Sequence, residues 1–226
     1  METGLDVPMM GSLAPREQTL YARLDLLRGQ AAKLSCLQPQ PRQERLSGLH
    51  NPWGFGSGLV DSWLLLDLCE DSKVLDAVEN VIGPDILLWD TELYLKASAY
   101  LQFVRDGREG RYWPAMPLQG AVVIVTLGAV VQALVCLNLD SLTEESLSVL
   151  DTSAPLYVLR YMPATSAFQR DALASANWKA MQEQPLLNFT QRPLWLVRGE
   201  DRAGNDFVTG FSPQVPRWAI NSLKEG

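Results

Sequence analysis

The sequence predicts an α+β fold, an antiparallel β core flanked by helices that come first in the chain. Apolar residues repeat at helical spacing through the first third. After Gly83-Pro84 the period changes to short runs rich in β-branched and aromatic residues. Helices followed by strands, with a mixed tail and no internal repeat, fit one layered α+β domain.

Residues 1–15 are weakly patterned and read as loosely ordered, leaving 16–226 as a single domain. From Pro15 to Leu37, Leu20, Leu24, Leu27 and Ala31 fall at helical spacing and predict one amphipathic helix. The polar, Pro-containing stretch Gln38 to Leu49 reads as a loop, and Gly-rich His50 to Gly58 as a turn. Leu59 to Cys69 and Lys73 to Ile82 predict two short helices. Asp71 and Ser72 stand where the second needs an N-cap, and Gly83-Pro84 stops it. Strands are expected at Ile86–Trp89 and Glu92–Lys96 with a turn at Asp90, then at Tyr100–Val104, Leu156–Met162 and Leu194–Val197. Arg105 to Arg111 reads as a charged loop, and Arg170 to Gln182 as a helix.

Gly120 to Leu137 is an apolar run close to the ~18–20 residues that span a bilayer. Its Val and Ile content favours strands. Gly120, Thr126, Gly128 and Gln132 interrupt it, and no Lys or Arg cluster flanks it. Buried strands are therefore the preferred reading over a membrane span.

The 226 residues are 47% hydrophobic, enough for a real core in one domain. A formal net charge of -7 leaves no basic footprint for nucleic acid and makes an anionic membrane surface a poor partner. Cys36, Cys69 and Cys136 are scattered and odd in number, so neither a disulfide framework nor a zinc knuckle is expected. METGLDVPMM carries no basic n-region before an apolar run, and the expected location is cytoplasmic. His50 is the one histidine, so any metal would need a carboxylate-dominated site.

Five stretches carry a resemblance. They are HNPW (50–53), VLDAVENVIGPDILLWDTELYLK (74–96), DGREGRYWP (106–114), DTSAPLYVLRYMPAT (151–165) and RPLWLVRGEDRAGNDF (192–207). Together they resemble phytanoyl-CoA-dioxygenase-like proteins of bacteria and fungi. The resemblance implies a double-stranded β-helix, a jelly-roll-like core. It further implies Fe(II) held by a His-x-Asp pair and a distal His, with an Arg anchoring 2-oxoglutarate.

On that pattern Asp106 matches the carboxylate ligand, ahead of Tyr112, Trp113 and Pro114. Val104 stands where the first His belongs, and valine has no lone pair for a metal. Asp140 to Asp151 runs almost directly into the LRYMP strand, so the turn carrying the distal His is missing. No Arg lies near Ser153, Ala154 and Pro155, and Arg160 belongs to the strand itself. The resemblance thus implies a degenerate member with an incomplete β core. Lys96, Tyr112 and Trp113 are candidates to line the remaining pocket. Each has a plainer reading: Asp106 as a turn cap or a partner of Arg105 or Arg108, and Tyr112 and Trp113 as core anchors. His50 reads as a polar loop contact ahead of a rescue ligand. Glu200, Asp201 and Asp206 read as a solvated loop.

Three functional readings follow. In the first, the iron triad and the cosubstrate Arg are lost, no cofactor is expected, and the protein binds a small-molecule ligand or a partner. A homodimer would cover the sheet edges left open. In the second, the lineage is a true Fe(II)/2-oxoglutarate dioxygenase, of secondary-metabolite biosynthesis, whose sequence is altered or mis-assembled between Gln119 and Leu150. In the third, the pocket is reused by a metal-free isomerase or cyclase. The sequence names no catalytic residue for any of them.

Overall fold

The computed structural model describes residues 20–37, 45–52, 60–128, 134–148, 150–183 and 189–207. Three helices come first: α1 (Leu20–Leu37), α2 (Ser62–Cys69) and α3 (Ser72–Ile82). Leu24, Leu27, Ala31 and Leu34 of α1 share one buried stripe, the face the helical spacing predicts. Asp61 caps α2 by accepting from the Trp63 and Leu64 N–H groups, and Asp71 caps α3 by accepting from Lys73 N–H. The predicted loosely ordered stretch, residues 1–15, lies outside the described residues.

Six strands build one sheet: β1 (Arg45–Ser47), β2 (Ile86–Tyr94), β4 (Ala121–Thr126), β5 (Leu134–Asn138), β6 (Leu156–Pro163) and β8 (Trp195–Arg198). The order is β1-β2-β6-β4-β5, antiparallel at each pairing. β8 pairs with the first half of β2 and β1 with its second half. The short strands β3 (Ala115–Met116) and β7 (Ala167–Phe168) form a separate two-stranded pair. Among the described residues the second sheet consists of this pair alone. The apolar run after Gly120 becomes the β4–β5 hairpin, with β4 fully buried. Among the described residues no helix is long and apolar enough to cross a membrane.

Four expectations need correction. Arg45–Ser47, expected as loop, is a strand, held to β2 by the register Arg45↔Tyr94 to Ser47↔Glu92. Tyr100–Val104, expected as a strand, belongs to helix α4 (Ala97–Arg105). Its buried residues Ala97, Tyr100, Phe103 and Val104 recur every three to four positions, a helical period that a five-residue window hides. No turn occurs at Asp90, because β2 runs unbroken through it. The last helix, α5 (Ser175–Glu183), starts later than expected. The Asn177 amide donates to the Gln169 and Asp171 carbonyls and holds the preceding turn open.

The sheet divides the core in two. On one face α1–α3 pack over Ile86, Leu88, Val123, Leu159 and Tyr161. On the other, α4, the 106–116 segment, the β3–β7 pair and α5 cover Leu87, Trp89, Ile124, Val158 and Met162.

Candidate functional site

The second face of the sheet carries a cleft, and a fault in β2 creates it. Along a strand, alternate residues face opposite sides. Leu87 and Trp89 face the second core, and Ile86 and Leu88 the first. The pairing with β6 then slips: Leu88 opposes Tyr161, but Asp90 opposes Arg160, so Trp89 is the extra residue of a β-bulge. Past it the parity inverts. Asp90, Glu92 and Tyr94 now join Trp89 on the cleft side, while Thr91 and Leu93 turn to the helical face.

Arg160, buried in the facing strand β6, collects the charges that the bulge delivers. Its Nη1 lies 3.2 Å from Asp90 Oδ2, and its Nη2 donates to Glu92 Oε2 at 2.9 Å. Nε and Nη2 form a two-pronged bond to Glu109 at 2.6 and 2.8 Å. Glu92 also accepts from the Tyr94 hydroxyl at 2.6 Å, and Glu109 from the Trp113 indole N–H at 2.9 Å. On the far side of Asp90, Arg192 Nη1 stands 3.1 Å from Oδ1 and Arg192 Nη2 donates to Ser47 Oγ at 3.2 Å. Gly48 makes room for this. Its φ is +70°, and a Cβ there would come within 2.5 Å of Arg192 Nη1.

Pairing decides the protonation of the cluster. Burial pulls the Arg160 guanidinium down, but Glu109 and Glu92 outweigh it and hold the group charged. Burial likewise raises Glu92, and Arg160 and Arg45 overcome it, so its carboxyl titrates below the ordinary range. Asp90 goes the other way. Its burial exceeds what Arg192 returns, and Glu92 adds repulsion, so its carboxyl titrates above the ordinary range.

Aromatic rings wall the cleft. Trp89 meets Trp113 edge to face at 5.1 Å and Phe189 at 5.5 Å. Gly120 is the close approach behind this wall, since a Cβ there would sit 1.8 Å from Trp113 Cζ3. At the mouth, Arg45 and Arg108 lie over the Phe103 ring at 5.2 and 5.1 Å. Arg108 Nη2 donates to Glu183 at 3.1 Å and Nε to the Tyr112 hydroxyl at 3.2 Å, and Tyr112 donates to Glu183. The cleft opens to solvent, and its free interior is about that of one water molecule.

Of the residues singled out by sequence, Tyr112 and Trp113 line the cleft. Lys96 does not: it is exposed at the N-cap of α4. Val104 is buried among the apolar residues of the second core. Asp106 is the exposed C-cap of α4, where its carboxylate accepts from Gln102 Nε2 at 2.6 Å. His50 is fully buried, with Nδ1 2.8 Å from Thr91 Oγ1, and Tyr157 donates to the same hydroxyl at 3.0 Å. Burial and the nearby Arg192 charge push its imidazole down to about 3, and among the described residues Nε2 has no hydrogen-bond partner. Asp201 accepts from Asn205 and Glu200 pairs with Arg202 at 2.9 Å, as loop-building contacts, while Asp206 is exposed. Sequence reasoning missed Arg45, Asp90, Glu92, Glu109 and Arg192. A signal did exist: two acids at i and i+2 in the apolar strand ILLWDTELY, and one Arg in LYVLRYMP.

No family model matches the chain, and no curated protein matches it. Solved structures do. A structure titled "CytC3 with Fe(II) and alpha-ketoglutarate" aligns over 91% of this chain and 90% of its own, at 14% identity and a TM-score of 0.50. The fold is similar to that of CytC3. Another CytC3 structure aligns at 14% identity over 91% of this chain and 90% of its own, with a TM-score of 0.45. A non-heme monooxygenase, the ThoJ–Ni complex, aligns at 15% identity over 92% of this chain and 87% of its own, with a TM-score of 0.40. At these identities the likeness is one of fold.

The metal held in the CytC3 structure can be tested against the donors of this chain. Among the described residues, no three His, Cys, Asp or Glu side chains gather where a metal ion could be held. The carboxylates of the cleft each already face a guanidinium, and a divalent cation there would meet Arg160. Asp106 points to solvent at a helix end and Val104 into apolar core. These residues do not fit an iron centre of the implied kind.

Proposed function

We propose that residues 16–226 form one degenerate phytanoyl-CoA-dioxygenase-like domain, with a reduced jelly-roll core, that binds a small molecule without oxygenase chemistry. The observation that carries this reading is the Arg160 cluster. It fills the cleft beneath the sheet with paired charge, and it leaves no carboxylate among Asp90, Glu92 and Glu109 available to a metal or as a general base. Val104 and Asp106 support it, since neither lines the cleft. The likeness of fold to CytC3 supports the lineage and is silent on chemistry.

Anaerobic titration of the intact chain with Fe(II) and 2-oxoglutarate tests the reading. The expected result is no visible metal-to-ligand charge-transfer band and no coupled succinate on admitting oxygen. A saturable band would return the protein to the Fe(II)/2-oxoglutarate oxygenases.

A further inference from the structure

The two edges of the main sheet are built differently. At one edge β1 and β8 divide β2 between them, three and four residues long. Each carries an arginine, and Leu194 N–H, just ahead of β8, donates to Phe207 O at 2.9 Å. Short, charged or covered strands resist further pairing. The β5 edge has none of these guards. Among the described residues, no strand pairs with β5 on the side away from β4. Its five residues, LVCLN, hold no charge and no proline, and its register on β4 runs without a bulge from Val125↔Leu134 to Ala121↔Asn138. Leu134 to Leu137 are half-buried and Asn138 is exposed, whereas β4 is buried throughout.

The register fixes which groups face outward. In an antiparallel ladder each residue turns its N–H and C=O to the same neighbour, and successive residues alternate. Leu139 N–H donates to Gly120 O at 2.9 Å, so Leu137 and Val135 also bond β4. β4 agrees from its other side. Leu127 N–H reaches Pro155 O at 2.9 Å, which turns Val125 and Val123 to β6 and leaves Ile124 and Val122 for β5. Leu134, Cys136 and Asn138 therefore present their backbone N–H and C=O away from the sheet. Ser141 Oγ donates to the Asn138 carbonyl at 3.0 Å, which leaves that residue one lone pair and its N–H. Cys136 is the midpoint of the strand.

We propose that β5 pairs with β5 of a second copy of this chain, antiparallel about a two-fold axis at Cys136. In that register Cys136 faces Cys136 of the partner subunit, and Leu134 faces Asn138 of the partner subunit. The outward groups of each copy then satisfy those of the other, as a self-complementary contact requires. Each copy carries a net charge of -7, yet no charged residue of β5 meets its own equivalent. A contact built on one five-residue strand is small, so the dimer is weak and concentration-dependent. This inference rests on the sheet and holds whatever the cleft binds.

Sedimentation equilibrium of the intact chain in reductant, over a wide range of concentrations, tests it. A reversible monomer–dimer equilibrium is expected. Cys136→Pro removes an N–H that β4 does not use, so the fold should persist while each copy loses one interface donor. Dimerisation should weaken about ten-fold or more. Cys136→Lys and Cys136→Glu each set like charges face to face, and each should be monomeric where the wild type is dimeric. An equimolar mixture of those two variants should dimerise again, which only direct opposition at position 136 provides. Circular dichroism reads the fold of each variant, and the mixture decides the matter if the proline variant melts early. A wild type that stays monomeric at every concentration overturns the proposal. So does a dimer that survives all three substitutions, or a Lys and Glu mixture that stays monomeric.

Discussion

The two faces of one sheet bury polar groups by opposite means. Beneath α1–α3, the polar side chains on β2 and its neighbours are neutral: His50, Thr91 and Tyr157 form a short hydrogen-bonded chain in an otherwise apolar layer. On the cleft face the buried groups are ions, and they survive burial by pairing. The same strand supplies both sets. One extra residue at Trp89 decides which goes where, because a slip of one position exchanges the faces. Without it, Asp90 and Glu92 would turn to the helices and Thr91 to the cleft.

The ionic face should be the more fragile. Arg160→Met leaves Asp90, Glu92 and Glu109 buried around an uncharged side chain. Breaking a buried pair by removing one partner costs about 3–5 kcal/mol, and here three carboxylates lose that partner, while Asp90 keeps Arg192 and Glu92 keeps Arg45. Urea unfolding should show this as a lower midpoint. The comparison sharpens if Glu109→Gln is added to Arg160→Met, since Glu109 pairs with Arg160 whereas Asp90 and Glu92 keep Arg192 and Arg45, and part of the loss should return. Stability unchanged by Arg160→Met would mean that the cluster is solvated, and the contrast between the faces would collapse.

The helical face should be the pH-sensitive one. His50 titrates at about 3 when folded and near its ordinary 6.5 when unfolded. Between those values the unfolded chain binds the extra proton, so stability falls as pH drops from 6.5 toward 3. At pH 4.5 the His50 contribution amounts to roughly 2–3 kcal/mol, at 1.36 kcal/mol per unit. His50→Gln cannot take up that proton, and its stability should vary less over the same range, whatever its absolute value. An equal slope in the two proteins would place the acid sensitivity in the carboxylates of the other face.

How much of this was legible in the sequence depends on the range of the interaction. The helices α2 and α3 were readable because their caps and apolar stripes are local: Asp71, the Val74–Val78 pair and Gly83 lie within one short window. The hairpin β4–β5 was readable as strands from its Val and Ile content. The bulge was not. Asp90 in ILLWDTELY resembles a turn residue, and only pairing with Arg160, 70 positions later, makes it a buried partner. The cleft was half readable. Tyr112 and Trp113 stood out as a motif, whereas Arg45 sits in a stretch read as loop and gains its place only when β1 pairs with β2.

A smaller effect probes the wall between the two. Gly120→Ala drives a methyl into Trp113, and overpacking of this kind costs about 1–3 kcal/mol. Because Trp113 donates to Glu109, the shift should also loosen the second carboxylate contact of Arg160. Denaturant unfolding and tryptophan emission should therefore change together. A destabilised protein with unchanged emission would mean that β4 moves and Trp113 does not.

The least effect belongs to the residue that the family pattern ranked first. Asp106 is exposed at the end of α4, and its one side-chain bond, to Gln102, lies at the surface. Substitutions at such positions usually stay within about 0.5 kcal/mol. Asp106→Asn should leave the unfolding midpoint at its wild-type value. A metal ligand would behave otherwise: the substitution would abolish whatever Fe(II) response the wild type gives. Position along the chain is what Asp106 shares with an iron ligand. Its burial, its partner and its distance from the paired carboxylates of the cleft are those of a helix cap, so a silent Asp106→Asn beside a damaging Arg160→Met would locate the constraint on this fold in the ion cluster.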